Sequence, residues 1–184
     1  MGRSSNAEQR RSEIVTAFLN ELGVHGYEAT SMARLGEVTG LKPSLMHYYF
    51  SSKLEILLAG IPELEHAYVV RRTHYLKNAV TEKQKIDALI DAHLALDERT
   101  NPRHISAWIQ LMALAQLDKA IGLAMRDVLK MRYAEFAACF STDQVAQATG
   151  CLAVILGMFQ IAALSPELLR SGSAAAIVKE QVHA

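Results

Sequence analysis

The chain has 184 residues, 51% of them hydrophobic, and 19 basic residues balance 19 acidic ones. This length and apolar content exclude a disordered chain and allow one large or two small domains with a buried core. The zero net charge excludes a strongly basic protein that coats nucleic acid. With four prolines and no alternating run of β-branched residues, the sequence predicts an all-α protein of about nine helices.

The N-terminal segment predicts one helix after a short disordered stretch. Residues 1–6 are predicted to be disordered because they are polar. Apolar side chains recur at helical spacing from Ile14 to Leu22, which indicates a helix from Ala7 to Leu22. Gly23 and Gly26 are expected to end it.

The next segment predicts two short helices joined by a tight turn. Ser31 is a suitable N-cap for the second helix, which is expected to end at Gly40, where the turn requires a positive φ. Gly36 costs helix stability and therefore indicates a close helix crossing. The third helix is predicted from Pro43 to Phe50. This pattern is typical of a DNA-binding helix-turn-helix, and the alternative is an ordinary helical hairpin with surface aromatic residues.

The short third helix is the candidate recognition helix, which in this motif lies in the major groove. Serine, tyrosine and lysine side chains most often contact phosphates. Lys53, at the start of the fourth helix, is expected to bind a phosphate with help from the helix dipole. The candidate DNA contacts are Ser31, Lys42, Pro43, Ser44, Leu45, His47, Tyr48, Tyr49 and Lys53.

The rest of the chain predicts a helical bundle. The fourth helix is expected to be kinked at Pro62 and to link an N-terminal DNA-binding domain, residues 1–52, to a ligand-binding and dimerisation domain, residues 53–184. The fourth helix is predicted over residues 53–77, the fifth begins from a cap at Thr81, and the sixth follows a break at residues 100–102. The seventh is predicted over residues 119–140, and the eighth over residues 145–164 with a cap at Ser141 or Thr142. The last runs from residues 165–166 to about Val182, with a possible break at residues 171–173.

The eighth helix is nearly apolar on every side, which predicts that it is buried all round. Its most apolar run, from Cys151 to Leu164, has 14 residues, too few to span a membrane. With a polar N-terminus and no signal peptide, the protein is expected to be cytoplasmic and not membrane-bound. Pairing in a homodimer would bury the outer face, and the alternative is a monomeric core helix. The candidate interface residues are Val154, Gly157, Met158, Gln160, Ile161, Leu164, Ile177, Val178 and Gln181.

Large and adaptable side chains in the C-terminal part are candidates for a small-molecule pocket, because methionine suits irregular cavities and bundle pockets lie between helices. Plain core packing is the alternative for each of them. His93 falls on an apolar stripe, where a satisfied core histidine is the alternative to a ligand anchor. The candidate ligand contacts are His93, His104, Trp108, Leu111, Met112, Met125, Phe136 and Met158.

Two other function classes are alternatives to DNA binding. Glu63 and His66 form a Glu-x-x-His, as in di-iron bundles, but no second such motif is present and a solvated face is the simpler interpretation. No nucleophile arrangement or phosphate-binding loop stands out, so no enzyme, metal or cofactor is predicted. A purely dimeric interaction module is the third class. Cys139 and Cys151 are expected to be buried and reduced, with a redox pair as the alternative.

Residues 10–60 resemble the N-terminal DNA-binding domain of TetR-family transcriptional regulators. The resemblance is carried by Glu21-Leu22-Gly23, Gly26-Tyr27, Ala29-Thr30-Ser31, Gly40-Leu41 and, above all, the segment from His47 to Leu57. The sequence departs from the family pattern at four positions. Gly36 stands where alanine is usual, and Lys42 where a serine or threonine cap is usual. Ser44 stands where glycine is common, and His47 where tyrosine is frequent.

The resemblance implies how such a protein works. It implies a homodimer on a palindromic operator, a C-terminal ligand pocket, a four-helix bundle that joins the protomers, and release from DNA by a small molecule. The region from His104 to Phe140 loosely resembles the BetI-like branch of the family.

Overall fold

A computed structural model describes residues 2–95, 97–140, 145–165, 167 and 173–183. These residues form helices and no strand, which confirms the all-α prediction. The nine helices in the described ranges are α1 (Gly2–Ala29), α2 (Met32–Thr39), α3 (Pro43–Tyr49), α4 (Lys53–Leu76), α5 (Glu82–Leu94), α6 (Pro102–Leu114), α7 (Lys119–Ala137), α8 (Val145–Leu164) and α9 (Ser173–His183). The predicted caps Ser141 and Thr142 and residues 171–172 of the predicted break at residues 171–173 lie outside the described residues, and Ser173 begins α9.

The chain divides into two compact units. Unit 1 comprises Met1–Leu64 and Pro102–Met125, and unit 2 comprises Glu65–Asn101 and Arg126–Ala184. Unit 1 therefore contains α6 as well as the three N-terminal helices. The predicted boundary between residues 52 and 53, which separates a DNA-binding from a ligand-binding domain, differs from this division into units and stays a prediction.

The first helix is longer than predicted. α1 begins at Gly2, so residues 2–6 are helical and not disordered. At its other end the backbone of Gly26 has φ 79°, which interrupts the helix, and the Thr30 hydroxyl donates to the Gly26 carbonyl at 2.8 Å. Glycine adopts this φ at little cost, so Gly26, rather than Gly23, sets the end of the regular helix.

Gly23 has a different role, because it allows α1 to pack closely against α6. A Cβ atom added at Gly23 would lie 2.3 Å from the backbone oxygen of Arg103. That separation is far inside van der Waals contact, and the atom it meets is backbone that cannot rotate away. The glycine therefore fixes how near these two helices of unit 1 approach.

We expect Gly23→Ala to lower the free energy of unfolding by ~2 kcal/mol, since overpacking costs about 1–3 kcal/mol and exceeds the roughly 1 kcal/mol that alanine gains in helix propensity. Thermal denaturation measures this as a melting temperature several degrees lower. The control is Thr16→Ala, an exposed position of the same helix. Equal melting temperatures for wild type and Gly23→Ala would contradict the assigned close packing.

In unit 2 the core lies between α5, α8 and α9. The cap predicted at Thr81 is present and is part of a capping box: the Thr81 hydroxyl accepts from the backbone N–H of Gln84 at 3.2 Å, and the Gln84 side chain accepts in return from the N–H of Thr81 at 3.1 Å. Cys139 and Cys151 are buried free thiols, as predicted. Burial raises the pKa of Cys139, and raises that of Cys151 to about 11. Both therefore stay protonated and unreactive.

α8 has the predicted bounds, Val145–Leu164, but only a small part of it is buried in its own chain. The stretch from Ala146 to Leu164 is, by length and composition, long and apolar enough to cross a membrane, and most of it lies outside the core of its own chain. The predicted apolar run of 14 residues began at Cys151, whereas the apolar stretch also includes the small residues before it. A core helix of a monomer would be covered, so α8 presents apolar surface that its own chain leaves open.

Candidate DNA-binding and effector sites

The helix-turn-helix is built as predicted. The Ser31 hydroxyl caps α2 by accepting from the N–H of Arg34 at 3.1 Å. Gly40 ends α2 in the left-handed region with φ 69°. A Cβ atom at Gly36 would lie 2.8 Å from the carbonyl oxygen of Leu41. The turn therefore folds back onto α2 at the one position without a side chain.

A small core holds α3 beneath this turn. Leu35, Met46 and Phe50 are buried completely or almost completely, whereas Leu41 and Tyr49 are half-buried. α1 packs against α2 and α3, and α2 packs against α3. Met46 is therefore the buried residue by which α3 is anchored in this core.

The outward positions of α3 are the predicted contact residues. Ser44, Leu45, His47 and Tyr48 are exposed, and Tyr48 keeps 76% of its surface accessible. The Tyr48 ring meets the half-buried Tyr49 ring edge-on, with centroids 5.1 Å apart. An exposed row of hydroxyl, imidazole and apolar groups on a short helix suits phosphate and base-edge contacts in a major groove.

The N-terminus of α3 lacks a side-chain cap. Lys42 takes the extended backbone conformation of an N-cap, but its side chain makes no capping hydrogen bond and is exposed. Pro43 occupies the first helical position, which presets φ and removes one unpaired donor. The Lys42 ammonium is thus left available to an external anion.

Lys53 has an intramolecular role that the sequence did not predict. Its ammonium donates to the carbonyl of Tyr27 at 2.8 Å and lies 3.9 Å from the centroid of the Tyr27 ring. An ammonium has three donors, so a phosphate contact by Lys53 stays a prediction. In unit 1 the side chain already joins the start of α4 to the end of α1.

Arg34 is a second cation in this unit that sequence reasoning missed. Its guanidinium pairs with the carboxylate of Glu21 and lies 2.7 Å from Nε2 of His25. These contacts join α2 to α1. The contact between Arg34 and Glu21 could not be predicted from their spacing in the sequence, because the crossing of α1 and α2 brings the two residues together.

The candidate effector residues fall into both units. In unit 1, Leu111 and Met125 are fully buried, whereas His104, Trp108 and Met112 are half-buried. The Trp108 Nε1 is buried and has no hydrogen-bond partner among the described residues. An unpaired buried donor costs stability unless a partner arrives, so Trp108 offers an N–H to an acceptor. Burial lowers the pKa of His104.

In unit 2, His93 is the centre of an aromatic cluster that also contains Tyr68, Phe136 and Phe159. The centroid of its ring lies 4.4 Å from Tyr68, 5.8 Å from Phe136 and 6.5 Å from Phe159. Its Nδ1 lies 2.8 Å from the carbonyl of Leu89. Neutral imidazole donates from one nitrogen only, so Nδ1 carries the proton and Nε2 is an acceptor. Met158 packs on the apolar core beside this cluster.

A buried ion network borders the aromatic cluster. Arg132 is 5% exposed, donates to Glu65 at 2.5 Å, and lies 3.4 Å from the centroid of the Tyr68 ring. Glu135 accepts from the Tyr68 hydroxyl at 2.9 Å and pairs with Arg72. Burial raises the pKa of Glu65, and the Arg132 guanidinium opposes that rise. The network therefore keeps its charges inside unit 2 by pairing each of them.

Burial lowers the pKa of His93 from 6.5 to about 3, against the opposing effect of its bond to Leu89, with smaller contributions from the charges of Arg132 and Arg71. The folded state then binds this proton less well than the unfolded state. Stability contributed by neutral His93 is complete above pH 6.5 and is lost as pH falls towards 3.

The free energy of unfolding of the wild type is expected to fall from pH 7 to pH 4 as His93 takes up a proton. We therefore expect a smaller fall over this range in His93→Phe. Urea denaturation across this range measures it. His66→Phe, at an exposed position of α4, should keep the wild-type pH dependence. Equal slopes for wild type and His93→Phe would show that His93 does not take up the proton.

An open groove of about 400 Å³ also lies in unit 2. It is lined by residues of α4, α5 and α7, among them Arg72, Lys85, Leu89 and Cys139. None of the predicted ligand residues lines this groove. A ligand site among those residues stays a prediction.

The predicted dimer residues lie mostly on open surface. Leu164 is 80% exposed, and Gly157 has no atom of its own chain near the position of a Cβ. Val178 is 1% exposed, so its inclusion was wrong, because it belongs to the core of its own chain. Met158 is half-buried. The open candidates are Val154, Gly157, Gln160, Ile161, Leu164, Ile177 and Gln181.

Comparison with known proteins agrees with this geometry. The sequence profile described as bacterial regulatory proteins, tetR family, matches residues 14–59. The chain is 26% identical over 180 residues to the HTH-type transcriptional regulator BetI of Rhizobium meliloti, covering 95% of this chain and 88% of that protein. It is 24% identical to BetI of Brucella suis, covering 94% and 89%.

Solved structures share the fold over nearly the whole chain. A transcriptional regulator from Rhodococcus sp. Rha1 superposes with a TM-score of 0.84 at 17% identity, covering 94% of both chains. A regulator from Saccharomonospora viridis in complex with choline superposes with a TM-score of 0.79 at 18% identity, covering 96% of this chain and 94% of that one. At these identities the likeness concerns the fold.

The all-helical fold and the exposed α3 define a DNA-binding transcriptional regulator of the helix-turn-helix class. The profile match and the relatives that span almost the whole chain make the assignment more specific. Residues 14–59 match the tetR family of bacterial regulatory proteins, and the chain is similar to the transcriptional regulator BetI over nearly its whole length. Within the described residues no group of three or more His, Cys, Asp or Glu side chains is placed to hold a metal ion.

Proposed function

We propose that the protein is a ligand-responsive repressor that binds a palindromic operator as a homodimer in the cytoplasm and has no catalytic activity. The observation that carries this proposal is the exposed α3, whose buried side chains anchor it to α1 and α2. Ser31, Lys42, Pro43, Ser44, Leu45, His47, Tyr48, Tyr49 and Lys53 are its proposed DNA contacts.

The dimer is supported by α8 and α9. Ile161, Leu164 and Ile177 are large apolar side chains that their own chain leaves exposed, and exposed apolar surface marks interaction sites where it is contiguous. A second copy of the chain would cover it symmetrically, because the same patch on both protomers is self-complementary in a twofold dimer. Two recognition helices related by that twofold axis read an inverted repeat.

Selection of bound duplexes from random DNA tests the operator. The dimer predicts enrichment of an inverted repeat whose half-sites are centred about one helical turn, or a multiple of it, apart. A selected sequence without internal symmetry would contradict the palindrome and leave DNA binding itself intact. No enrichment over the starting pool would contradict the regulator.

The proposed effector is a small organic cation. Tyr68, Phe136 and Phe159 surround His93, and the guanidinium of Arg132 already lies on the face of Tyr68. Aromatic faces attract cations, and quaternary ammonium groups are recognised in this way. The similar regulator from Saccharomonospora viridis was crystallised with choline. Nε2 of neutral His93 would accept a hydrogen bond from a hydroxyl on such a ligand.

Thermal shift with choline and with its uncharged isostere 3,3-dimethyl-1-butanol tests the class of ligand. We propose that choline raises the melting temperature and that the uncharged alcohol does not, since only a cation gains from the aromatic faces. Equal shifts would show that shape alone is recognised. No shift with either would leave the predicted residues of unit 1, His104, Trp108, Leu111, Met112 and Met125, as the next candidates.

A further inference from the structure

The C-terminus of α3 is held by a residue outside the helix-turn-helix itself. α3 has seven residues, and a helix of this length is unstable alone. Its N-cap residue Lys42 makes no side-chain capping bond. The last carbonyls of any helix lack intrahelical donors, so the orientation of α3 depends on what is bound at its C-terminal end.

Arg11, in the third turn of α1, supplies that contact. Its Nη1 donates to the carbonyl of Tyr49, the last residue of α3. The same guanidinium lies 4.0 Å from the centroid of the Phe50 ring. A cation at a helix C-terminus is favoured by the dipole, and a planar guanidinium both stacks and donates. Arg11 therefore contacts the end of α3 and the residue that follows it.

Glu55 holds the other side of the guanidinium. Its Oε1 accepts from Nη2 of Arg11 at 3.2 Å. Its Oε2 accepts from the backbone N–H of Ser51 at 2.7 Å and from the Ser51 hydroxyl at 2.8 Å. The hydrogen bonds from Ser51, with the nearby Arg11, lower the pKa of Glu55, so the carboxylate stays ionised. One carboxylate thus joins Arg11 to the turn between α3 and α4.

We propose that Arg11 is a positioning residue for DNA recognition: with Glu55 it forms a clamp that fixes the recognition helix α3 between α1 and α4. The inference rests on the proposed DNA-binding function. In this proposal Arg11 acts through the orientation of α3, because two of its five N–H donors are directed at Tyr49 and Glu55. Residue 11 lies before the matched family segment, residues 14–59.

The clamp is tested first in the free protein by amide hydrogen exchange. Arg11→Lys keeps the charge and loses the fork geometry that reaches two acceptors. We expect faster exchange at the amides of α3 and Phe50, by about tenfold for the loss of one charge-assisted hydrogen bond. Arg10→Lys is the matched control, since Arg10 is exposed and pairs with Glu13 on its own helix. Unchanged exchange in Arg11→Lys would overturn the clamp, whether or not the protein binds DNA.

Binding to two duplexes then separates positioning from direct contact. The first duplex carries the inverted repeat selected by the wild-type protein, and the second has the same composition in scrambled order. Positioning predicts that Arg11→Lys and Glu55→Gln both weaken binding to the repeat about tenfold. It also predicts that scrambled DNA is bound within about twofold of wild type, and that the salt slope is unchanged.

A phosphate contact by Arg11 predicts the opposite pattern. Arg11→Lys would then weaken both duplexes similarly, and Glu55→Gln would tighten both, because it removes a negative charge near the DNA. Either result would overturn the positioning role. If the wild-type protein prefers no duplex, the proposed function fails, and hydrogen exchange still decides whether the clamp exists.

Discussion

Replacement of Ser44 by glutamate is expected to abolish operator binding while leaving the fold intact. Ser44 is exposed and is the second residue of α3. A carboxylate in the first turn interacts favourably with the helix dipole, by about 0.3–1 kcal/mol, and the first turn of α3 contains no acidic residue. The same charge would face the phosphates in the complex, where like charges cost several kcal/mol.

The measurement combines a thermal melt with operator binding. We expect an unchanged or higher melting temperature and an affinity at least about 100-fold lower, which corresponds to roughly 2.7 kcal/mol. Gln116→Glu makes the same charge change at an exposed position of the turn after α6. It should bind the operator as the wild type does. If Ser44→Glu binds normally, α3 does not face the DNA.

Replacement of Ile161 by glutamate is expected to convert the dimer to a monomer. Ile161 is 38% exposed in its own chain, so the substitution disturbs little of the monomer core. In a symmetric α8 interface it would bury two carboxylates, one from each protomer, and an unpaired buried charge costs far more than the contact it replaces. Loss of the second half-site contact would lower operator affinity by about 10²–10⁴.

Sedimentation measures the mass of the particle directly. The control is Val80→Glu, at a position of the same unit that is 79% exposed, and it should remain a dimer with normal DNA binding. A wild-type chain that sediments as a monomer would contradict the proposed interface. A dimer that survives Ile161→Glu would place the interface on another surface.

The N-terminal helices were predictable because their determinants are local. The Ser31 cap, the positive φ at Gly40 and the buried Leu35 and Met46 follow from neighbours a few residues away. The end of α1 was misplaced, since Gly23 and Gly26 look alike in sequence. Only the packing of α6 shows that Gly23 serves a helix crossing, whereas Gly26 interrupts the helix.

The polar contacts between helices were not predictable. Arg11 meets Tyr49 and Glu55, and Arg132 meets Glu65, across sequence separations that no spacing rule covers. One signal was available: charged and hydroxyl groups recur on one face of α4 at Glu65, Tyr68 and Arg72, at helical spacing. Polar residues on such a face require partners, and those partners proved to lie on α7.

The distinction between core and interface also could not be read from hydrophobicity. Val178 and Ile177 are adjacent and similar, yet Val178 is 1% exposed and Ile177 is 49% exposed. The bounds of α8 were predicted correctly, but the apolar run was begun too late, at Cys151, because the residues before it are small. An apolar helix predicts burial in general, whereas the structure shows which face its own chain leaves uncovered.

The affinity for the selected inverted repeat and for its scrambled counterpart, measured from low to physiological salt, tests the central claim most directly. The account predicts a steep loss of affinity with salt on both duplexes, since both retain the phosphates. It also predicts that the repeat is bound about 10³-fold or more tightly at every salt concentration, as base contacts from α3 require. Equal affinity for the two duplexes would contradict a sequence-specific regulator.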